Sequence, residues 1–212
     1  MKEILICGSG EFAREVYWWV KQANKALNIN FKGFLDKNGD SLVKYNLSSF
    51  YISSEDNYAF CDNEYVIVAI ANTHIRKKVF DNLQGRGIKF YNFIHPSAII
   101  GGSIEMGEGN IVCPNSVFTT DIEIGNGNIF NINVTVGHDV KIGSFNTFNS
   151  HCDITGNVQI GNMNYSGSRV SFLPYCKIGD NNQISAGSVV YKGVKNNSIL
   201  LGNPAKIIGD NL

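Results

Sequence analysis

Residues 118–143 read FTTDIEIGNGNIFNINVTVGHDVKIG, and an apolar residue returns at every sixth place: Phe118, Ile124, Phe130, Val136 and Ile142. Carried outward, the count begins at Ile100 and ends at Val190, through Met106, Val112, Phe148, Ile154, Ile160, Ser166, Phe172, Ile178 and Ile184. Fifteen of these sixteen rungs are apolar. Half are followed directly by glycine: Gly101, Gly107, Gly125, Gly137, Gly143, Gly161, Gly167 and Gly179. The residue two before the rung is often small or β-branched, as at Val134, Val140, Val158 and Val170. A fixed period of six is the hexapeptide repeat of a parallel β-helix. Each hexad supplies one short strand, and the rung and the residue two before it point inward because strand side chains alternate. The glycine after the rung is expected to let the backbone turn a corner where a side chain would be strained. Three such faces close a coil, so the ladder makes roughly five coils and a prism on the order of 25 Å long at the inter-strand spacing of about 4.8 Å.

The ladder occupies only the second part of the chain. Sixteen of the 22 glycines lie from His95 onward, while both tryptophans and most helix-favouring runs precede it. From His95 to Val190 there are two alanines and a single leucine, so content as well as period excludes helices there. The expected boundary is near Ile94, with domains over 1–94 and 95–212. Asn110, Asn126, Asn128, Asn131, Asn133, Asn146 and Asn149 suit corners and stacked side-chain amides. After Val190 the pattern stops, and Gly202-Asn203-Pro204-Ala205-Lys206 is expected to cap the prism.

Before the ladder, strand and helix patterns alternate. Lys2–Cys7 is a short apolar strand that ends in Gly8-Ser9-Gly10, and a helical stretch follows from Glu11 to about Leu27, with Phe12, Val16, Trp19 and Val20 at helical spacing. Phe31 to Leu35 reads as a second strand closed by Asp36. Glu64 to Ala71 reads as a buried parallel strand, and Asn72-Thr73 as the N-cap of a helix from His74 to about Leu83. Lys89 to Asn92 is a last strand. The alternation predicts a small open α/β sheet, a Rossmann-like half domain. Gly8, Gly10 and Ala13 fit the glycine fingerprint at a strand-to-helix turn, where backbone amides approach a phosphate. With room for one half of a dinucleotide fold, the expected ligand is a nucleotide or nucleotide-sugar and not NAD; a turn that only packs helix on strand fits the same residues. Asp36 fits either an acceptor for the ribose or base, or a solvated turn residue.

Charge is balanced at 18 basic and 18 acidic residues, which argues against a polyanion such as nucleic acid as the main partner. No apolar run approaches the length of a membrane span, and the first residues lack the apolar core of a signal peptide. Cys7, Cys61, Cys113, Cys152 and Cys176 have neither metal nor disulfide spacing, so buried reduced thiols in a cytoplasmic protein are expected.

With rungs and tail in view, the chain resembles the left-handed β-helix acyltransferases of the hexapeptide-repeat superfamily. More narrowly, it resembles the bacterial sugar acetyltransferases that include the sialic-acid O-acetyltransferase and the N-acetyltransferases of UDP- or dTDP-4-amino-sugars. The residues that carry the likeness are Gly8-Ser9-Gly10 with Ala13-Arg14-Glu15-Val16, Ala69-Ile70-Ala71-Asn72 with Ile75-Arg76, His95-Pro96-Ser97-Ala98, Gly137-His138-Asp139 with Ile142-Gly143, and Gly202-Asn203-Pro204-Ala205-Lys206. The resemblance implies a left-handed coil, against the usual crossover preference, and a homotrimer with acetyl-CoA in the groove between prisms. It implies an acetyl transfer to the 4-amino group of a nucleotide-linked amino-sugar, or alternatively to a sugar hydroxyl.

Acetyl transfer needs a base for the acceptor's proton, and an imidazole is suited to it. His138 is that candidate, with Asp139 to hold its tautomer. The resemblance further implies substrate contacts at Gly8, Ser9, Gly10, Asp36, Ala71, Asn72 and Asn131. Donor contacts are implied at Thr147, Gly156, Gly167, Ser168, Ala186 and Gly187, with amides near Gly156 facing the oxyanion. Phe12 stands where many relatives carry His, and Thr147 where some carry a second His. Zinc carbonic anhydrases share the fold but need three convergent histidines; the ladder holds His138 and His151, so no metal is expected. A non-catalytic assembly scaffold is the remaining class.

Overall fold

The computed structural model describes residues 1–211 as two compact units, Met1–Pro96 and the described residues from Ser97 onward. In the first, β1 (Lys2–Cys7), β2 (Ile29–Leu35), β3 (Tyr51–Ser53) and β4 (Glu64–Val68) form a parallel sheet in the order β3-β2-β1-β4. Helix α1 (Glu11–Leu27) buries Ala13, Val16, Tyr17, Val20 and Ala23, one face at helical spacing. Tyr17 packs edge-on against Phe31 at 4.7 Å between ring centroids and against Phe34 and Phe50 at 5.5 and 5.7 Å. A one-turn helix, α2 (Asp40–Val43), precedes β3, and α3 (Thr73–Gly85) follows β4, capped by the Asn72 side chain, which accepts from the Ile75 N–H at 3.0 Å. The expected strand at Lys89–Asn92 shrinks to a single bridge, Val66 to Phe90.

The second unit is a parallel β-helix with three faces. The first face stacks Ile104–Met106, Ile122–Ile124, Lys141–Ile142, Gln159–Ile160 and Lys177–Ile178. The second includes Ile111–Val112, Ile129–Phe130, Thr147–Phe148, Tyr165–Ser166 and Gln183–Ile184. The third stacks Ile99–Ile100, Val117–Phe118, Thr135–Val136, Asp153–Ile154, Ser171–Phe172 and Val189–Val190. Each pairing among these strands joins residues eighteen apart, such as Glu123 to Lys141 and Thr135 to Asp153. From Val112 to Val190 every rung is buried, and so is every residue two before a rung. In the interior Phe118 packs edge-on against Phe130 at 4.9 Å between ring centroids, and Phe130 stacks on Phe148 at 5.3 Å. Each buried aromatic contributes about 2 to 3 kcal/mol of apolar transfer.

Within the second face, Asn110, Asn128, Asn146, Asn164 and Asn182 form a buried amide ladder. The Asn128 Oδ1 accepts from both the backbone N–H and the Nδ2 of Asn146, at 2.8 and 3.0 Å. The Asn146 Nδ2 also donates to the Gly161 carbonyl at 2.9 Å. These amides are therefore fully paired, which is the condition for burying them.

The corners correct one expectation. The left-handed backbone falls three places after the rung, at Asn133, Asp139, Phe145, His151, Asn157, Met163, Arg169 and Tyr175 among others, and not at the glycine that follows the rung. Those glycines serve coil-to-coil contact instead. A Cβ on Gly143 would stand 2.6 Å from the Gly161 carbonyl oxygen, so a side chain would force the coils apart. Among the cysteines, Cys61 is exposed and the other four are buried, which corrects the expectation of five buried thiols. The tail Ser198–Gly202 and Ala205–Asp210 forms an antiparallel hairpin whose first strand pairs with Gln183–Ile184.

Candidate active site

Three separate places hold most of the sequence candidates. In the first unit β1 is the strand where connection order reverses, since β2 and β4 lie on opposite sides of it. Ligands of open α/β sheets bind beyond the strand ends at such a switch point. A cavity of about 380 Å³ opens there, and Gly8, Ser9, Gly10, Asp36 and Ala71 all line it. Gly8 holds φ +109°, and a Cβ on it would press within 3.0 Å of the Ala69 carbonyl. Gly10 starts α1 without a side-chain cap, so the helix presents its first-turn amides and positive end. The buried Ser9 is held by Ser41 of α2, whose Oγ lies 2.6 Å from the Ser9 Oγ and 2.8 Å from its carbonyl oxygen.

Asn72 does not line this cavity; its side chain is committed to the cap of α3. The loop after β4 is instead fixed by the buried Arg76, whose Nη1 donates to the Ile70 and Ala71 carbonyls at 2.7 and 3.0 Å. Burial lowers the Arg76 pKa to about 9. The buried Cys7 thiol is pushed up, by burial first and then by the carboxylates of Glu55 and Asp36. Glu55 also lines the cavity, and sequence reading missed it because β3, three residues long, has no legible pattern before it.

The second place is the corner between the third and first faces. The left-handed φ of 57° at Asp139 turns its carboxylate back on its neighbour, and Oδ2 lies 2.7 Å from the His138 Nδ1. Both side chains are exposed, at 59% and 58%. An ionised Asp139 makes Nδ1 the donor and leaves Nε2 with a free lone pair. The ring lies against Gly156, one coil further along: a Cβ there would meet Nε2 at 2.6 Å and Cε1 at 2.7 Å. The Asn157 N–H donates to the His138 carbonyl at 2.9 Å, which ties the two coils together, while the Gly156 N–H has no partner among the described residues.

Asn131, Gly167, Ser168, Ala186 and Gly187 share a different corner, between the second and third faces. The Asn131 Oδ1 accepts from the Ile132 N–H at 2.7 Å, and the Gly187 N–H donates to the Ser168 carbonyl at 2.9 Å. The third face separates this corner from His138 by four or so extended residues, roughly 13 Å. Thr147 departs from expectation: it lies within a strand of the second face, 2% exposed, and offers no surface side chain. No group of three or more His, Cys, Asp or Glu converges among the described residues.

Residues 3–83 match the family described as the PglD N-terminal domain. With the six-residue coil that follows that domain in the chain, the protein is similar to the hexapeptide-repeat sugar acetyltransferases, a class of enzymes. Similar solved structures span the whole chain. WeeI from Acinetobacter baumannii AYE is 27% identical, with 98% of this chain and 100% of that chain covered and a TM-score of 0.84. The acetyltransferase domain of PglB from Neisseria gonorrhoeae FA1090 is 22% identical over 98% and 100%, at 0.85. A variant of the perosamine N-acetyltransferase from Caulobacter crescentus, in complex with CoA and GDP-perosamine, is 23% identical over 99% and 98%, at 0.83. The β-helix is left-handed, as in these structures. No curated protein sequence matches the chain.

Proposed function

We propose that the chain is an acetyl-CoA-dependent N-acetyltransferase for the 4-amino group of a nucleotide-linked amino-sugar, with His138 as general base, acting as a cytoplasmic homotrimer. The observation that carries this reading is the 2.7 Å contact between the His138 Nδ1 and the Asp139 Oδ2, which leaves Nε2 as an outward acceptor beside an unpaired backbone N–H at Gly156. Acetyl-CoA supplies the activated acyl thioester. His138 Nε2 takes the proton of the attacking amine as the new C–N bond forms, Asp139 stabilises the imidazolium that results, and the thioester C–S bond then breaks so that CoA leaves as the thiol with that proton. The Gly156 N–H faces the charge that develops on the carbonyl oxygen. Gly167, Ser168, Ala186 and Gly187 suit a pantetheine arm, because small side chains leave the corner backbone open; a Cβ on Gly187 would touch nothing within 4 Å.

The separation of that corner from His138 supports a trimer, in which neighbouring prisms bring one corner of each to a shared groove. The Gly8–Gly10 turn and the open first turn of α1 support binding of the nucleotide's phosphates in the N-terminal cavity. No helix among the described residues is long and apolar enough to cross a membrane. The PglB domain is also known in complex with acetyl coenzyme A. The test is thiol release from acetyl-CoA with matched nucleotide-sugars that differ only in a 4-amino or 4-hydroxyl group. Turnover with the amine alone supports the proposal; turnover with the hydroxyl alone assigns O-acetylation, and none with either overturns the acetyltransferase reading.

A further inference from the structure

Among the side chains that line the N-terminal cavity, the Glu55 carboxylate has no part in the reading above. Glu55 is 7% exposed, lines the cavity of about 380 Å³, and borders its neighbour along α3. Its carboxylate has no hydrogen-bond or ion-pair partner among the described residues, although Lys37 and Lys78 border the same space. The carboxylate oxygens are not sealed from solvent, so they face the cavity as acceptors that a ligand's donors can meet.

The order of the strands says which part of a nucleotide reaches it. Phosphates belong at the start of α1, after β1. The acidic residue at the end of β2, Asp36, is placed for ribose hydroxyls. Glu55 lies one strand further out, two residues after β3. The next group of the ligand along that line is the base. Ile75 and Val79 of α3 line the same cavity and offer an apolar wall for a flat ring.

We propose that Glu55 reads the base of the bound nucleotide and that the base is guanine; this rests on the nucleotide reading of the cavity. A carboxylate accepts through two oxygens and donates nothing. Guanine presents two adjacent donors on its Watson–Crick edge, N1–H and the 2-amino group. Uracil and thymine flank their single N–H with carbonyl oxygens, and adenine and cytosine set a ring acceptor beside the amino group. Guanine alone matches both oxygens without facing acceptor to acceptor.

Calorimetric titration of the full chain with GDP, IDP, UDP, CDP and ADP tests this. GDP is expected to bind at least about tenfold tighter than UDP, CDP and ADP, and tighter than IDP, which lacks the 2-amino group, by about tenfold. Glu55→Gln is expected to erase the preference for GDP while leaving UDP binding unchanged. Equal affinity for all five nucleotides, or a Glu55→Gln variant that weakens them all alike, overturns the assignment of Glu55 and leaves the cavity a nucleotide site. If no nucleoside diphosphate binds, both fall.

Discussion

Replacing Asn146 with alanine removes the middle rung of the buried amide ladder. The Asn164 backbone N–H and Nδ2 both donate to the Asn146 Oδ1, at 2.9 and 3.0 Å, and the Gly161 carbonyl accepts from its Nδ2. The substitution orphans the Asn164 backbone N–H, the Gly161 carbonyl and one of the two Asn164 Nδ2 hydrogens, the other staying with the Gly179 carbonyl, while the Asn128 Oδ1 keeps the backbone N–H of residue 146. At about 1 to 3 kcal/mol for each unsatisfied buried group, with some relaxation, the expected loss is about 3 to 5 kcal/mol. Asn182 provides the internal control. Its Oδ1 accepts only from the Ser198 N–H, and the Asn164 Oδ1 keeps the Asn182 backbone N–H when the side chain is removed. Asn182→Ala therefore orphans one donor, for about 1 to 3 kcal/mol. Equilibrium unfolding in urea at one fixed protein concentration measures both, because subunit association would otherwise shift the midpoint. A loss under about 1 kcal/mol for Asn146→Ala, or the same loss for both variants, would refute the reasoning that satisfaction of buried groups sets the cost.

Gly156→Ala is expected to lower kcat by about a hundredfold through displacement of the His138 ring, with a small change in the unfolding midpoint; steady-state kinetics beside thermal unfolding check it. Ser166 is the one polar rung, and its buried Oγ has no partner among the described residues, so Ser166→Ala is expected to raise stability by about 1 kcal/mol in a urea titration. Burial acts to raise the Glu64 carboxyl, but bonds from Lys32, the Cys61 N–H and Tyr58 outweigh it and hold it below the usual carboxylate range. A depressed native value means that this group's stabilisation is present in full above the unfolded carboxylate's value and is lost as pH falls through the native one. Glu64→Gln should flatten the acid limb of a stability–pH profile, and an unchanged limb would contradict the assignment.

The prism was legible because each hexad repeats one physical solution, and a wrong residue in one coil would meet its partners eighteen places away on both sides. The corners were not legible. Phe145, Met163, Arg169 and Tyr175 adopt a left-handed backbone that their side chains disfavour, and the register of the stacked coils overrides local preference. The glycines pointed to the right places for the wrong reason, since contact between coils and not φ demands them. His138 and Asp139 were legible as neighbours in sequence that a left-handed turn brings together in space. Of the residues that line the cavity, Gly8, Ser9, Gly10 and Asp36 followed from strand and helix alternation, and Ala71 from the family resemblance. Asn72 and Thr147 lie outside that cavity: the Asn72 Oδ1 caps α3, and Thr147 is covered in a strand of the second unit. Glu55 was invisible because its place depends on β3, whose three residues form a strand only through pairing with β2.

The imidazole at the prism corner is the centre of the account, and the turnover of His138→Asn at saturating acetyl-CoA and amino-sugar nucleotide probes it most directly. General-base assistance is worth about 10²- to 10⁴-fold, so kcat is expected to fall within that range while the KM for acetyl-CoA changes little. A variant that keeps kcat within a few-fold of the parent enzyme would contradict it.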